Sequence, residues 1–305
     1  MEEQPNIKHI VISGGGIFGL SVYGALQELH KNGFWKFENI QSYYGTSVGT
    51  MIILFLLLEY DWETMETFLI KRPWDKVFNY DMKRCLELFD NCGAFDISVF
   101  YKAVGPLFKA IDMDLNITMK ELYEKTNKDF YIYTTELNFF NSECISHKTH
   151  PEWKVLEAIY ASCSLPLIFR PLIKENKAYA DGGLFLNYPL QKCLDVETVD
   201  KSEVLGIYKD FTNDEADKLL TYTSTMSDYF AVLLKNLIQF TNDRDIIDCK
   251  YQICMNDIPT SVTSLFDFVN SSDYRKKLFD IGKQHANQFL SHHGECASDD
   301  ISVPI

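Results

Sequence analysis

Two consecutive runs share one order: a short apolar run, a glycine-rich turn, then an apolar helical stretch. Lys8 to Ser13 ends at Gly14-Gly15-Gly16, after which Phe18, Val22, Ala25, Leu26 and Leu29 recur at helical spacing. Ile40 to Tyr44 ends at Gly45-Thr46-Ser47-Val48-Gly49 and is followed by Val48 to Leu58, apolar on every face as a helix buried in a core would be. Two strand-turn-helix units in succession require parallel strands joined by right-handed crossovers. The fold class expected is therefore α/β, with a mostly parallel central sheet flanked by helices in three layers.

The rest of the chain extends this pattern. A capping box at Thr118-Met119-Lys120-Glu121 predicts a helix through Glu124. Phe130 to Thr135, aromatic and β-branched, predicts a strand, and Pro151 predicts the first turn of a helix through Ala161. Further strands are expected at Ala178 to Ala180, Val204 to Tyr208 and Tyr251 to Met255, with helices over Tyr229 to Phe240 and Asp273 to Leu290. No repeat, low-complexity tract or Pro/Gly/Ser-rich linker divides the sequence. One domain is expected over 7–291, between tails at 1–6 and 292–305.

Composition narrows the function. Of 305 residues, 46% are hydrophobic, ample for a packed core, and 43 acidic against 29 basic residues give a formal charge of -14. That balance argues against nucleic acid as a partner and against long-range attraction to anionic membranes. The apolar run at Met51 to Leu58 is far short of the ~20 residues that span a bilayer, and the first residues lack the pattern of a secretory signal. The expected location is the cytoplasm, with peripheral contact at membranes. Eight scattered cysteines without a Cys-x-x-Cys pair read as reduced thiols rather than as a disulfide framework or metal site.

Gly45-Thr46-Ser47-Val48-Gly49 has the form of a nucleophile elbow, in which a sharp strand-to-helix turn lifts the serine hydroxyl and the flanking glycines let other chain pass. Gly14-Gly15-Gly16-Ile17-Phe18-Gly19 exposes successive N–H groups beside a helix start, which suits an oxyanion, a phosphate or simply a tight turn. The same segment fits the dinucleotide fingerprint. Against that, the second strand ends in the elbow rather than in an acidic residue, and Glu38 falls before that strand. A histidine partner for Ser47 would have to be His285, His292 or His293, all in a terminal helix or tail. Asp181, in Ala180-Asp181-Gly182-Gly183 after a short strand, is the better candidate. Trp74, Phe78, Tyr80, Phe95, Phe100 and Tyr101 read as core before they read as an apolar lip. Lys71-Arg72 and Lys83-Arg84 read as solvated surface before they read as phosphate contacts.

In this order, the glycine segment, the elbow and the Asp-Gly-Gly motif resemble the patatin-like phospholipase family. So does Ala161-Ser162-Cys163-Ser164-Leu165-Pro166-Leu167-Ile168-Phe169-Arg170-Pro171, similar to the family's stretch before the aspartate. The likeness covers at least residues 8 to 190. Ser13 stands where many members have Asp, and Gly183 where many have Ala. The resemblance implies a Ser47-Asp181 dyad without histidine, an oxyanion hole from the N–H groups of Gly14, Gly15, Gly16 and Val48, and motif glycines at Gly19, Gly45, Gly49, Gly182 and Gly183. It also implies a phospholipid or lysophospholipid substrate, transient contact with a membrane surface, and neither metal nor cofactor. A non-catalytic lipid-binding or nucleotide-binding α/β protein is the alternative.

Overall fold

A computed structural model describes residues 5–79, 90–196, 199–210, 220–242, 249–259 and 262–295. Tyr80, Lys83-Arg84, Cys85 and Cys296 lie outside the described residues. The strands are β1 His9–Ile12, β2 Ser42–Thr46, β3 Gly93–Phe95, β4 Asp129–Glu136, β5 Asn141–Ile145, β6 Leu167–Phe169, β7 Leu172–Lys174, β8 Lys177–Ala180, β9 Val204–Tyr208 and β10 Tyr251–Cys254. The helices are α1 Phe18–Lys31, α2 Val48–Leu57, α3 Trp62–Lys71, α4 Trp74–Val77, α5 Ser98–Ala110, α6 Met119–Thr126, α7 Val155–Cys163, α8 Leu190–Leu194, α9 Met226–Asn242, α10 Val262–Asn270 and α11 Ser272–Glu295.

The main sheet runs β10-β9-β1-β2-β4-β8-β7, with β5 paired to β4 off this path. Strands β10, β9, β1, β2 and β4 are mutually parallel, whereas β5, β8 and β7 join as antiparallel pairs. The sheet is therefore mixed, and the expected parallel part is its larger share. Side chains alternate between two cores. Ile10, Ile12 and Tyr43 pack with α1, α2 and α11 on one face, while Val11, Tyr44 and Tyr133 pack with Leu190 and Cys193 of α8 on the other. Helix α2 is enclosed, as its uniformly apolar sequence predicts: Ile52 through Leu57 are all buried.

One position in the sheet brings the two distant motifs together. Tyr133 of β4 pairs with Thr46 of β2 and with Cys144 of β5; Thr135 pairs with Ser142 of β5 and with Ala180 of β8. A residue pairs on two sides only across opposite edges, so β2 and β8 share the edge of β4 that β5 leaves open. They run toward each other along it and stop on either side of Thr134. Ser47 and Asp181 are the next residues of the two strands. The β7–β8 hairpin that delivers Asp181 turns through Glu175 and Asn176, both with positive φ, 53° and 61°. That is the signature of a two-residue type I′ turn, whose twist matches that of the flanking strands.

Several expectations need correction. Strand β2 begins two residues later than Ile40 and includes Thr46. The capping box forms with both of its hydrogen bonds, and its helix runs to Thr126. Pro151 does not open a helix: its carbonyl accepts from Lys120 N–H and that of Trp153 from Met119 N–H, which holds 151–153 against the start of α6. Helix α7 starts instead at Val155. Helix α11 runs from Ser272 to Glu295, past the end expected at Leu290.

Helices α1 and α11 approach backbone to backbone at two glycines. A Cβ on Gly24 would lie 2.2 Å from the Phe279 carbonyl oxygen, and one on Gly282 would lie 1.8 Å from that of Ser21. The Ser21 hydroxyl completes the seam with a 2.6 Å bond to the Leu278 carbonyl. At the start of α11, the buried Arg275 guanidinium donates to Ile70 and Arg72 at the end of α3 and to Phe268 and Val269 at the end of α10. One cation thus caps two helix carboxyl ends whose carbonyls would otherwise be orphaned. Trp74, Phe95 and Phe100 are buried, in keeping with the core reading of the aromatic group.

Candidate active site

Ser47 links the end of β2 to α2 with φ 51° and ψ -129°, a conformation a non-glycine residue holds only under constraint. The constraint is visible. Its N–H donates to Ser162 Oγ at 2.9 Å, and Ser162 Oγ donates in turn to the Tyr133 carbonyl. Its carbonyl accepts from Thr50 N–H and, at 2.6 Å, from Thr50 Oγ1. Neighbouring chain needs the flanking glycines: a Cβ on Gly49 would lie 2.6 Å from the Ile12 carbonyl, and one on Gly45 would meet Ile53 and the α2 backbone. Gly19 lies under Val48, with room for no Cβ.

Asp181 is buried, 4% exposed, and comes within hydrogen-bond distance of the serine: Ser47 Oγ donates to Asp181 Oδ2 at 2.6 Å. Its other oxygen, Oδ1, accepts from Gly183 N–H at 2.8 Å. The backbone is clamped as well. Asp181 N–H donates to the Ser164 carbonyl, and its own carbonyl accepts from Thr135 Oγ1. Gly182 must be glycine because a Cβ there would lie 2.2 Å from the Tyr133 carbonyl. Burial pushes the Asp181 carboxyl up to about 6, against the opposing pull of its bonds to Ser47 and Gly183. The Cys163 thiol lies 3.8 Å from Thr50 Oγ1; burial and the nearby Asp181 push it upward, so it stays protonated.

The glycine loop lies against the serine, since a Cβ on Gly14 would sit 3.1 Å from that of Ser47. Gly14 itself does not fit the expected donor set. Its N–H donates to the Asn187 carbonyl at 3.1 Å, while Thr46 Oγ1 donates to the Leu186 carbonyl, so 186–187 is stitched across the ends of β1 and β2. The N–H groups of Gly15 and Gly16 find no acceptor among the described residues. Gly16, with φ 58°, holds the left-handed bend that opens the loop. Val48 is the first residue of α2, so its N–H is one of those a helix leaves unpaired at its start.

The late histidines stand elsewhere: His285 bonds Asp257 at 2.8 Å and His293 packs on Phe289 and Tyr251. Glu38 is exposed in a 3₁₀ turn before β2. Of the basic pair at 71–72, Arg72 donates to the Lys102 carbonyl and stacks on Phe68. Cys163, Cys193 and Cys249 are buried free thiols, and Cys92 is exposed. A polar cleft of about 580 Å³ opens beside Asn6, Lys8, Gln41 and Asp129. It lies at the amino ends of β1, β2 and β4, the wrong end of parallel strands for chemistry in an open α/β sheet.

Ser162 and Asn187, like Thr50 and Thr135, are site residues to which the sequence gave no role. Ser162 lies within the family-like 161–171 stretch, so a signal was there, though nothing in it said that the hydroxyl reaches back to the elbow. Asn187 carried no signal.

Residues 10–194 match the family described as patatin-like phospholipase. The chain belongs to the patatin-like phospholipase family. Among its relatives, "Uncharacterized protein R571" of Acanthamoeba polyphaga mimivirus is 27% identical over 187 residues, 61% of each chain. "Probable lipid hydrolase 463L" of Invertebrate iridescent virus 6 is 25% identical over 185 residues, 60% of this chain and 62% of its own. The matches thus span about three fifths of these viral relatives. VipD from Legionella pneumophila shares the fold, with a TM-score of 0.54 at 17% identity over 95% of this chain and 67% of VipD. Every residue named in the dyad and in the glycine loop falls inside the family match.

Proposed function

We propose that this patatin-like chain is a calcium-independent serine acyl hydrolase of phospholipase A or lysophospholipase type. The observation that carries the reading is the 2.6 Å bond from Ser47 Oγ to a buried Asp181 whose carboxyl is raised toward neutrality. An ordinary aspartate is too weak a base to serve serine well. At about 6 its basicity approaches what general-base catalysis at neutral pH needs. The family membership and the name of the iridescent virus relative support a lipid ester as substrate.

In the proposed reaction Ser47 Oγ attacks the ester carbonyl carbon while Asp181 Oδ2 takes the serine proton. The N–H groups of Gly15, Gly16 and Val48 hold the developing oxyanion, and the positive end of α2 favours the same charge. Collapse expels the alcohol portion of the lipid, which leaves with the proton from Asp181. Water then attacks the acyl-serine, giving its proton to Asp181, and the fatty acid departs as Ser47 is restored.

A fluorophosphonate probe tests this directly. Wild type should be labelled and Ser47→Ala should not, and Asp181→Asn should lose roughly 10²- to 10⁴-fold in turnover of mixed phospholipids. Turnover should persist in excess EDTA. Absence of labelling in a folded wild type would favour the non-catalytic alternative, in which the Gly14–Gly19 loop only binds. Near-normal turnover of Asp181→Asn would remove the aspartate from its role as base.

A further inference from the structure

Helix α9 is apolar on its half-buried face, through Phe230, Leu234, Leu237 and Ile238, and apolar again on the face it turns to solvent. Its exposed residues, Met226, Tyr229, Leu233, Asn236 and Phe240, recur at intervals of three and four and so form one stripe, and four of the five are apolar. Asp228 and Lys235, the side chains solvent would favour, are half-buried instead. None of the helix's described side chains is buried, and Phe240 is 83% exposed. A single exposed apolar residue is ordinary, but a stripe four turns long is not.

A second apolar projection stands beside it. The turn between β4 and β5 reads Leu137-Asn138-Phe139-Phe140, and Phe139 is 82% exposed. This tip is held in place. Glu136 is only 1% exposed, and its carboxylate accepts from the N–H groups of both Asn138 and Phe139. The protein thus buries an acid to fix a loop that presents a phenyl ring to solvent. Both projections meet the segment just beyond Asp181: the Phe140 ring packs 5.8 Å from that of Phe185, and Thr241 Oγ1 donates to the Leu184 carbonyl.

We propose that the α9 stripe and the β4–β5 tip form one docking face for the surface of a zwitterionic phospholipid bilayer, a partner for the acyl hydrolase reading on which this inference rests. Charge selects the occupant. Neither 137–140 nor the exposed stripe carries a charged side chain, in a chain of net charge -14. Attraction to anionic head groups is absent, and apolar insertion is the force that remains. Position selects it too, because a protein seated on both patches would cover the Asp181 loop that a lipid has to reach.

Flotation with phosphatidylcholine vesicles tests the face, using wild type, Phe139→Ser, Phe240→Ser and the double variant. Wild type should float with neutral vesicles, undiminished between roughly 0.1 and 1 M salt, since no ion pairs are there to screen. The double variant should partition at least about tenfold less, given what two phenyl rings contribute on burial. Its turnover of vesicle lipid relative to a short water-soluble ester should fall by a similar factor. Unchanged partition of the double variant would overturn the face, as would wild-type binding confined to anionic vesicles and reversed by salt. Self-association of wild type that the substitutions abolish while vesicle binding persists would make the face a protein interface instead. A wild type that floats yet hydrolyses neither ester would sink the catalytic reading and leave the docking face standing.

Discussion

The Asp181 carboxyl is displaced in a direction that sets activity against stability. In the proposed reaction Asp181 has to be unprotonated, so kcat/KM should rise with pH and level off above about 6, falling about tenfold per unit on the acid side. Stability has the opposite sign. A carboxyl whose folded-state value is raised from 3.8 to about 6 binds its proton more tightly in the native state. Its contribution is fully present below 3.8 and is lost as pH rises through 6. The charged carboxylate therefore destabilises the fold at neutral pH by roughly 3 kcal/mol, two units at about 1.4 each. Asp181→Asn should unfold at higher denaturant than wild type at pH 8 and at equal denaturant at pH 3. Chemical denaturation at the two pH values checks this; an Asn variant less stable at pH 8 would mean that the carboxylate's hydrogen bonds outweigh its desolvation. The sharp turn at Ser47 and the close approaches at Gly45 and Gly49 were legible because a strand-to-helix elbow leaves few choices of residue. The engagement of Gly14 N–H by the Asn187 carbonyl was not, since it depends on a contact between residues 173 positions apart.

Among the elements, those with a strong local signal were readable: the enclosed α2, the capping box of α6 and the aromatic β4. Strand β5, Asn-Ser-Glu-Cys-Ile, was missed because it is polar and lacks alternation, and its pairing with β4 is what makes it a strand. Strands β6 and β7 have three residues each, too few for a period to show. The seam between α1 and α11 was invisible for a different reason. A glycine inside a helix looks like a defect until the partner backbone is seen against it. Either Gly24→Ala or Gly282→Ala should cost about 1–3 kcal/mol, because backbone rather than a movable side chain occupies the space. Urea unfolding measures it. An unchanged midpoint would show that the helices can part without loss.

Across the whole molecule, the family match ends at 194, yet the fold depends on elements beyond that residue. Strand β9 pairs along the full length of β1, and α11 covers α1. A fragment of residues 1–194 holds every residue of the dyad and glycine loop, but leaves one edge of β1 unpaired and the apolar face of α1 open. Such a fragment should show no cooperative thermal transition and no fluorophosphonate labelling, whereas 1–295 should show both. Labelling of the short fragment at the full-length rate would place the fold's determinants wholly within the match. Among the described residues no helix is long and apolar enough to cross a membrane.

The meeting of β2 and β8 at Thr134 makes the proposed Ser47–Asp181 dyad an all-or-none assembly. A slip of one residue in the β7–β8 hairpin moves Asp181 along the edge and turns its side chain to the other face, and no intermediate register exists. Weakening the Glu175-Asn176 turn should therefore leave two kinds of molecule, one fully competent and one inert, rather than a uniformly slower enzyme. Active-site titration would find fewer reactive serines per mole, with turnover per reactive serine unchanged.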